Sequence, residues 1–170
     1  NFGTNFSEPF EIKYLDKDGT QKYAHETSWG TSTRLIGAII MTHGDERGLK
    51  LPPMIAPYQV VVVPVAAHKE GVLEGAKAVA DKLTAAGLRV KFDDRDNVTP
   101  GWKFKGVPVR VEIGPRDLAE GKVMSVRRDT FEKAPLDIEG LEGEIKAMLD
   151  AIQTNMFEIA RAFRDAHTAD

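Results

Sequence analysis

The chain has 170 residues, a net charge of −3, 42% hydrophobic residues, 29% charged residues and no cysteine. This length allows one well-packed domain or one domain with part of another, and the lack of cysteine excludes disulfides and thiolate metal sites. Because cysteine is absent, we expect a protein of a reducing compartment such as the cytoplasm. The apolar runs are too short to span a bilayer, so we expect no membrane partner.

The first predicted element is a β-hairpin. Phe10, Ile12 and Tyr14 alternate with polar residues, which is typical of a strand. The dipeptide Asp18-Gly19 is typical of a hairpin turn, and residues 21–26 return as the second strand. The sequence begins without a methionine, which suggests a fragment of a longer protein.

A hydroxyl-rich turn, TSWGTSTR, occupies residues 27–34 and leads into the apolar run LIGAIIM. The run predicts a helix buried against a sheet, with Ser32 or Thr33 as its N-cap. Arg34 then lies at the start of this helix, beside free N–H groups, and this combination favours a bound phosphate. The alternative is that Trp29 is a core aromatic residue and Arg34 forms a surface salt bridge.

A domain boundary is predicted after this helix. The helix ends at His43 and Gly44, where the glycine is suited to a left-handed C-cap. Residues 51–57, LPPMIAP, contain three prolines and cannot form regular structure. We interpret them as a linker between a first domain, residues 1–50, and a second domain, residues 58–170.

The second domain begins with a β-α-β pattern, which predicts the α/β fold class. Residues 59–65, QVVVVPV, contain a run of β-branched valines, typical of a strand buried on both faces. An apolar stripe of helical period follows over residues 69–86 and stops at Gly87, and residues 88–92 form the next strand. The two strands are therefore expected to be parallel.

Residues 107–113 alternate strictly, which places the valines and isoleucine on one face and Arg110 with Glu112 on the other. They lie in a basic interval, because residues 89–128 contain ten Lys or Arg and six Asp or Glu, a local charge of +4. This interval fits a phosphate-bearing partner, or it forms an ordinary solvated face.

Three further elements are predicted towards the C-terminus. Residues 114–117 are interpreted as a turn and residues 122–127 as a strand, and a long amphipathic helix follows Pro135 and packs on the sheet. No phosphate loop, Rossmann, nucleophile-elbow or HExxH motif occurs. The four histidines lack metal-ligand spacing, so no metal site is predicted.

Taken together, the residues resemble the prolyl-tRNA synthetases, a family of class II aminoacyl-tRNA synthetases, in their archaeal and eukaryotic type. The strings that carry the resemblance are TSWGTSTRLIG, HGD, PGWKF and KGVPVRVEIGPRD. The resemblance implies that residues 1–50 are the end of an antiparallel catalytic sheet with its motif 3 helix. It also implies that residues 58–170 are a mixed-sheet α/β anticodon-binding domain.

The resemblance further implies a proline–tRNA ligase that activates proline with ATP and Mg²⁺ and transfers it to tRNA-Pro, in a homodimeric enzyme. Arg34 matches the catalytic motif 3 arginine that binds ATP phosphate, and Ser32 matches a second ATP contact. Trp29 and Gly30 would border the proline pocket. An arginine suits this role because it stays charged and binds oxygens as a fork.

In the second domain the resemblance assigns anticodon binding to Arg110, Arg116 and Asp117, which match residues that read the guanines of the proline anticodon. Arginine donating to guanine and aspartate accepting from its amines are the expected pairings on unstacked bases.

The chain departs from the family at three places. The first catalytic motifs and a C-terminal zinc-like domain lie outside this sequence. A short insert containing Trp-Glu-Leu is missing between Phe104 and Lys105. The chain alone is therefore expected to be inactive, and the alternative function is a non-catalytic tRNA-binding module.

Overall fold

A computed structural model describes residues 1–95, 98 and 106–168. It contains two compact units, Asn1–Gly37 and Ala38–Asp170. The sequence instead places a boundary at residues 51–57, and the predicted domain limits stay predictions. Within the described ranges, none of the helices combines the length and the apolar character that crossing a membrane requires.

The first unit contains the predicted hairpin. Strands β1 (Lys13–Leu15) and β2 (Gln21–Tyr23) pair antiparallel. Asp18 closes the turn because its Oδ1 accepts the backbone N–H of Thr20 at 2.9 Å. Lys22 forms ion pairs with carboxylates on the turn side of the hairpin. The hairpin is confirmed, although its strands are shorter than predicted.

Helix α1 spans Arg34–His43, as its apolar run predicts. Ser32 is its N-cap, since the Ser32 Oγ accepts the backbone N–H of Arg34 at 3.3 Å. The predicted burial against a sheet is wrong for the described chain, because α1 has no buried residue. Its exposed large apolar residues are Leu35, Ile36, Ile40 and Met41.

The end of α1 differs from the sequence prediction. Gly44 does not adopt a left-handed conformation, and it opens a short antiparallel hairpin of β3 (Gly44–Asp45) and β4 (Gly48–Leu49). A Cβ at Gly44 would lie 2.6 Å from the carbonyl oxygen of Ile40. Glycine is therefore needed here for close backbone approach and not for a positive φ.

The second unit is built on a mixed five-stranded sheet with the order β6-β5-β7-β8-β9. The strands are β5 (Val60–Pro64), β6 (Val90–Phe92), β7 (Val109–Ile113), β8 (Lys122–Arg127) and β9 (Lys133–Asp137). β5 is parallel to β6 and β7, whereas β7, β8 and β9 pair antiparallel. The α/β class and the predicted parallel pair are confirmed.

The core lies between this sheet and two helices, α2 (Val72–Ala85) and α4 (Leu141–His167). α2 ends in a Schellman motif: Gly87 has a φ of 86° and donates to Thr84, and Leu88 donates to Leu83. Burial of one large aliphatic side chain stabilises the fold by about 1.5–3 kcal/mol. The buried core residues include Val60, Val62, Leu83, Val109, Val111, Ile113, Leu141, Ile145 and Ile152.

Besides the β3–β4 hairpin, two further elements were not predicted. The segment interpreted as a turn contains a short helix, α3 (Pro115–Ala119), which starts with a proline, as helices often do. β9 occupies the segment that was interpreted as the approach to the long helix. Pro135 lies within β9, and it is tolerated there because β9 is an edge strand of the sheet.

The predicted linker is not a free connection. Pro52, Pro53 and Ala56 are buried. The guanidinium of Arg89 donates to the carbonyl of Ala56 at 2.9 Å and to that of Pro53 at 2.8 Å. Residues 51–57 are therefore fixed to the sheet domain, because one arginine satisfies the carbonyls of their irregular backbone.

Candidate functional site

The register of the five strands separates an apolar face from a charged one, since residues paired across strands share a face. The helix face, which packs on α2 and α4, carries valines, Phe92, Ile113 and Leu136. The opposite side, here named the charged face, carries Lys91, Arg110, Glu112, Lys122, Lys133 and Asp137, together with Val61, Val63, Met124 and Val126. The predicted alternation of residues 107–113 is confirmed.

Arg110 lies on β7, at the middle position of the sheet, between Val61 of β5 and Val126 of β8. It is only 9% exposed, and its Nε lies 3.1 Å from the Oε1 of Glu112. Burial lowers the pKa of the Arg110 guanidinium, and the charge of Glu112 opposes this change. The guanidinium stays charged at neutral pH, so the charged face presents a fixed cation whose position is set by packing.

Arg116 and Asp117 lie on α3, which follows β7 directly. The backbone N–H of Gly114 donates to the Oδ2 of Asp117 at 2.8 Å, so this carboxylate caps the helix. Arg116 is exposed, and none of the side chains in the described ranges forms a hydrogen bond or ion pair with its guanidinium. Arg110 is the second residue of β7, about 10 Å along the strand from Ile113, whereas Arg116 and Asp117 follow the far end of β7.

A second polar group at the edge strand β6 was not identified from the sequence. Asp93 follows β6, is 2% exposed, and accepts from the Nη2 of Arg95 at 2.6 Å. Lys91 of the charged face lies 4.0 Å from the same carboxylate. The acidic residues that follow β6 in the sequence could have indicated this group, because a carboxylate between two cations orients them. The PGWKF string and the site of the missing insert lie outside the described residues.

The stretch 27–33 contains no helix or strand. Trp29 is 95% exposed, so the alternative in which it is a core aromatic residue is wrong. Arg34 and Gly30 are also exposed, and Ser32 uses its hydroxyl to cap α1. All four residues are exposed, and their roles stay predictions.

The side chains that the structure describes offer no site for a metal ion. Across residues 1–95, 98 and 106–168, no group of three or more His, Cys, Asp or Glu could hold one. Mg²⁺ prefers carboxylate oxygens and phosphates, and the stretch 27–34 contains no carboxylate.

A third polar cluster joins the β3–β4 hairpin to the turn after β8. Arg128 is buried, and its guanidinium donates to both carboxylate oxygens of Asp45 at 2.8 Å and to the carbonyl of Gly48 at 3.0 Å. Lys50 adds a weaker ion pair with Asp45 at 3.8 Å. We name this group, Asp45 with Gly48 and Arg128, the hairpin clamp.

The hairpin clamp predicts a loss of stability in acid. The hydrogen bonds from Arg128 lower the pKa of Asp45 from 3.8 to about 2, with smaller contributions from the backbone N–H of Arg47 and the charge of Lys50. A depressed folded-state pKa means that the stabilisation is complete above about pH 4 and is lost as the pH falls through about 2.

Because Asp45 is partly exposed, we expect this stabilisation to be about 1–2 kcal/mol. Urea unfolding of the native chain and of Asp45→Asn, measured between pH 6 and pH 2, would show it. The difference in unfolding free energy should be largest at pH 6 and approach zero near pH 2. A difference that stays constant over this range would contradict the assignment.

A shallow cleft of about 280 Å³ lies on the helix face, and its lining includes Arg127, Leu136 and Met148. None of the predicted site residues lines it. The candidate site residues, on the charged face and on α3, therefore lie outside this cleft.

Residues 59–148 match the anticodon binding domain family. Over 99% of its length the chain is 56% identical to the proline–tRNA ligase of Lachnospira eligens and 54% identical to that of Clostridium novyi. It is 51% identical to a proline–tRNA ligase 2 of Bacillus cereus. The resemblance to the prolyl-tRNA synthetases is thereby confirmed, whereas the archaeal and eukaryotic type stays a prediction.

The chain spans about a third, 36%, of the length of these relatives. Each alignment covers 173 residues, whereas this chain has 170. The relatives therefore contain at least three residues that have no counterpart here. The position of these residues, predicted between 104 and 105, stays a prediction.

Proposed function

We propose that this chain, which belongs to the anticodon-binding domain family, is the anticodon-reading portion of a proline–tRNA ligase. In this proposal the chain also carries the motif 3 segment of that enzyme. The sequence identity of 50–56% over nearly the whole chain carries this proposal. The partner is tRNA-Pro, and the compartment is the cytoplasm.

The charged face supports the RNA-binding half of the proposal. Single-stranded bases are recognised by stacking and by hydrogen bonds to their edges. Arg110 is fixed by packing and by Glu112, and Arg116 is exposed on α3. In our proposal both donate to the O6 and N7 atoms of anticodon guanines.

Asp117 has a narrower role than the resemblance implies. Its Oδ2 is occupied by the backbone N–H of Gly114. In our proposal the other oxygen, Oδ1, accepts from a guanine amine. Asp117 then has two roles. It accepts from the base, and its bond to Gly114 fixes the start of α3 after β7 and so positions Arg116.

The exposed stretch 27–34 supports the catalytic half. We propose that Arg34 binds an ATP phosphate and neutralises charge as the proline carboxylate attacks the α-phosphorus. Ser32 contacts ATP, and it fixes the first turn of α1 as N-cap. Trp29 and Gly30 form part of the proline pocket, whose remaining walls come from outside this chain. The enzyme is a homodimer.

Mg²⁺ accompanies ATP in this proposal, and we assign none of the residues that the structure describes to hold it. The chain contributes positioning and positive charge, which stabilise a developing anion without a protein nucleophile.

The experiment that tests the proposal is pyrophosphate exchange by the full-length gene product. Exchange that depends on proline, and that other amino acids do not support, is the expected result. Absence of exchange with proline, together with salt-dependent binding of tRNA-Pro, would favour the non-catalytic tRNA-binding module.

A further inference from the structure

The hairpin clamp connects two segments to which the proposed function assigns different tasks. Asp45 lies in β3, directly after α1, whose first residue is Arg34. Arg128 lies directly after β8, and its backbone N–H donates to Pro108 at 2.9 Å, next to the start of β7. The Arg128 guanidinium thus connects the end of the motif 3 helix to the strand that carries Arg110.

The geometry of the clamp is that of a fixed joint. Arg128 makes three charge-assisted or polar hydrogen bonds, and its side chain is only 6% exposed. A bidentate arginine–carboxylate pair restricts rotation as well as distance. A single ion pair between flexible surface side chains would not impose this restriction.

A strained aromatic residue supports the same joint. Phe131 has a φ of 61°, a left-handed conformation that bulky residues rarely adopt. Its ring lies under two guanidinium groups, with the Arg47 Cζ 4.4 Å and the Arg128 Cζ 5.1 Å from its centroid. Arg47 belongs to the hairpin turn and Arg128 to the sheet domain, so the strained turn carries a second contact across the joint.

We propose that Arg128 is a positioning residue for tRNA charging, acting through Asp45 and Gly48. This inference rests on the proposed function. Charging requires one tRNA to be bound at its anticodon and presented to the catalytic site at the same time. A joint that holds the anticodon-reading sheet against the end of α1 keeps these two events in register, whereas a loosened joint leaves each event intact and separates them.

The test compares Arg128→Ala with Arg127→Ala in the full-length gene product. Arg127 is a matched control because it is the preceding arginine and pairs with Asp129, 2.7 Å away, rather than with the hairpin. Three quantities are measured: proline-dependent pyrophosphate exchange, affinity for the isolated anticodon stem-loop of tRNA-Pro, and kcat/KM for charging of whole tRNA-Pro.

For Arg128→Ala we expect kcat/KM for charging to fall by about 10- to 100-fold, as misplacement of reacting groups does. Exchange and stem-loop affinity should stay within about two-fold of the native values, since Arg128 touches neither proposed substrate. Arg127→Ala should retain charging. Asp45→Ala should reproduce most of the Arg128→Ala defect, and the double variant should be no worse than Arg128→Ala, because the two side chains pair with each other.

Charging by Arg128→Ala at the native rate would overturn the inference. A parallel loss of exchange, stem-loop affinity and charging would also overturn it, because that pattern indicates a general structural role. If Arg128→Ala does not fold, the partly exposed Asp45→Ala variant decides by the same criteria. A native protein that does not charge tRNA-Pro would instead contradict the proposed function, so the two failures are distinguishable.

Discussion

Arg34→Ala in the full-length gene product is expected to lower proline-dependent pyrophosphate exchange by about 100- to 1,000-fold, the range that follows removal of one preorganised donor to a developing anion. Arg34 is exposed at the first turn of α1, where Ser32 has already fixed the backbone. Its guanidinium is therefore available to a phosphate, and the N–H groups of the helix start add to the local positive potential.

The loss should be in catalysis and not in folding. Arg34 is exposed, so the melting temperature of Arg34→Ala should match that of the native protein. Arg34→Lys should give an intermediate rate, because it keeps the charge and loses the fork. Arg161→Ala, which removes an exposed helical arginine from α4, is the matched control and should retain full exchange. Native exchange by Arg34→Ala would contradict the assigned role.

Arg110→Ala and Arg116→Ala are each expected to weaken binding of this chain to the anticodon stem-loop of tRNA-Pro by about 10- to 100-fold, since one good arginine–guanine pair contributes about 1–3 kcal/mol. Fluorescence anisotropy with a labelled stem-loop would measure the dissociation constants. The two variants should differ in stability, because Arg110 is buried beside Glu112 whereas Arg116 is exposed.

This difference is the internal control. Removing Arg110 leaves the Glu112 carboxylate, which is only partly exposed, without this cation, and unfolding should become easier by about 1–3 kcal/mol. Arg116→Ala should unfold as the native chain does. Native binding by Arg116→Ala would contradict base reading by Arg116.

The sequence predicted those elements whose pattern is local and strong. The run at residues 59–65 and the helical stripe stopped by Gly87 are such patterns. Both elements formed, and β5 pairs parallel with β6 as expected. β9 was missed because Pro135 argues against a strand unless the strand is known to lie at an edge. α3 was missed because glycine and proline at residues 114 and 115 are typical of turns and of helix starts alike.

The candidate site was predictable only in part, for a physical reason. Strict alternation assigned Arg110 and Glu112 to one face, but the partners of that face come from distant strands, and only the register brings Lys91 and Lys133 to it. The hairpin clamp could not be predicted from the sequence, because Asp45 and Arg128 are 83 positions apart and only the fold brings them together. The apolar run correctly predicted helix α1, but the local sequence does not specify what packs against the helix, so its burial was predicted wrongly.

The central claim is that the charged face and α3 read the guanines of the proline anticodon. The most direct measurement is the dissociation constant of this chain for the tRNA-Pro anticodon stem-loop, compared at one salt concentration with that for a stem-loop whose anticodon guanines are replaced by adenines. We predict that the replacement weakens binding by at least about 10-fold, while binding of both RNAs falls as salt increases. Equal affinity for the two stem-loops would contradict the claim.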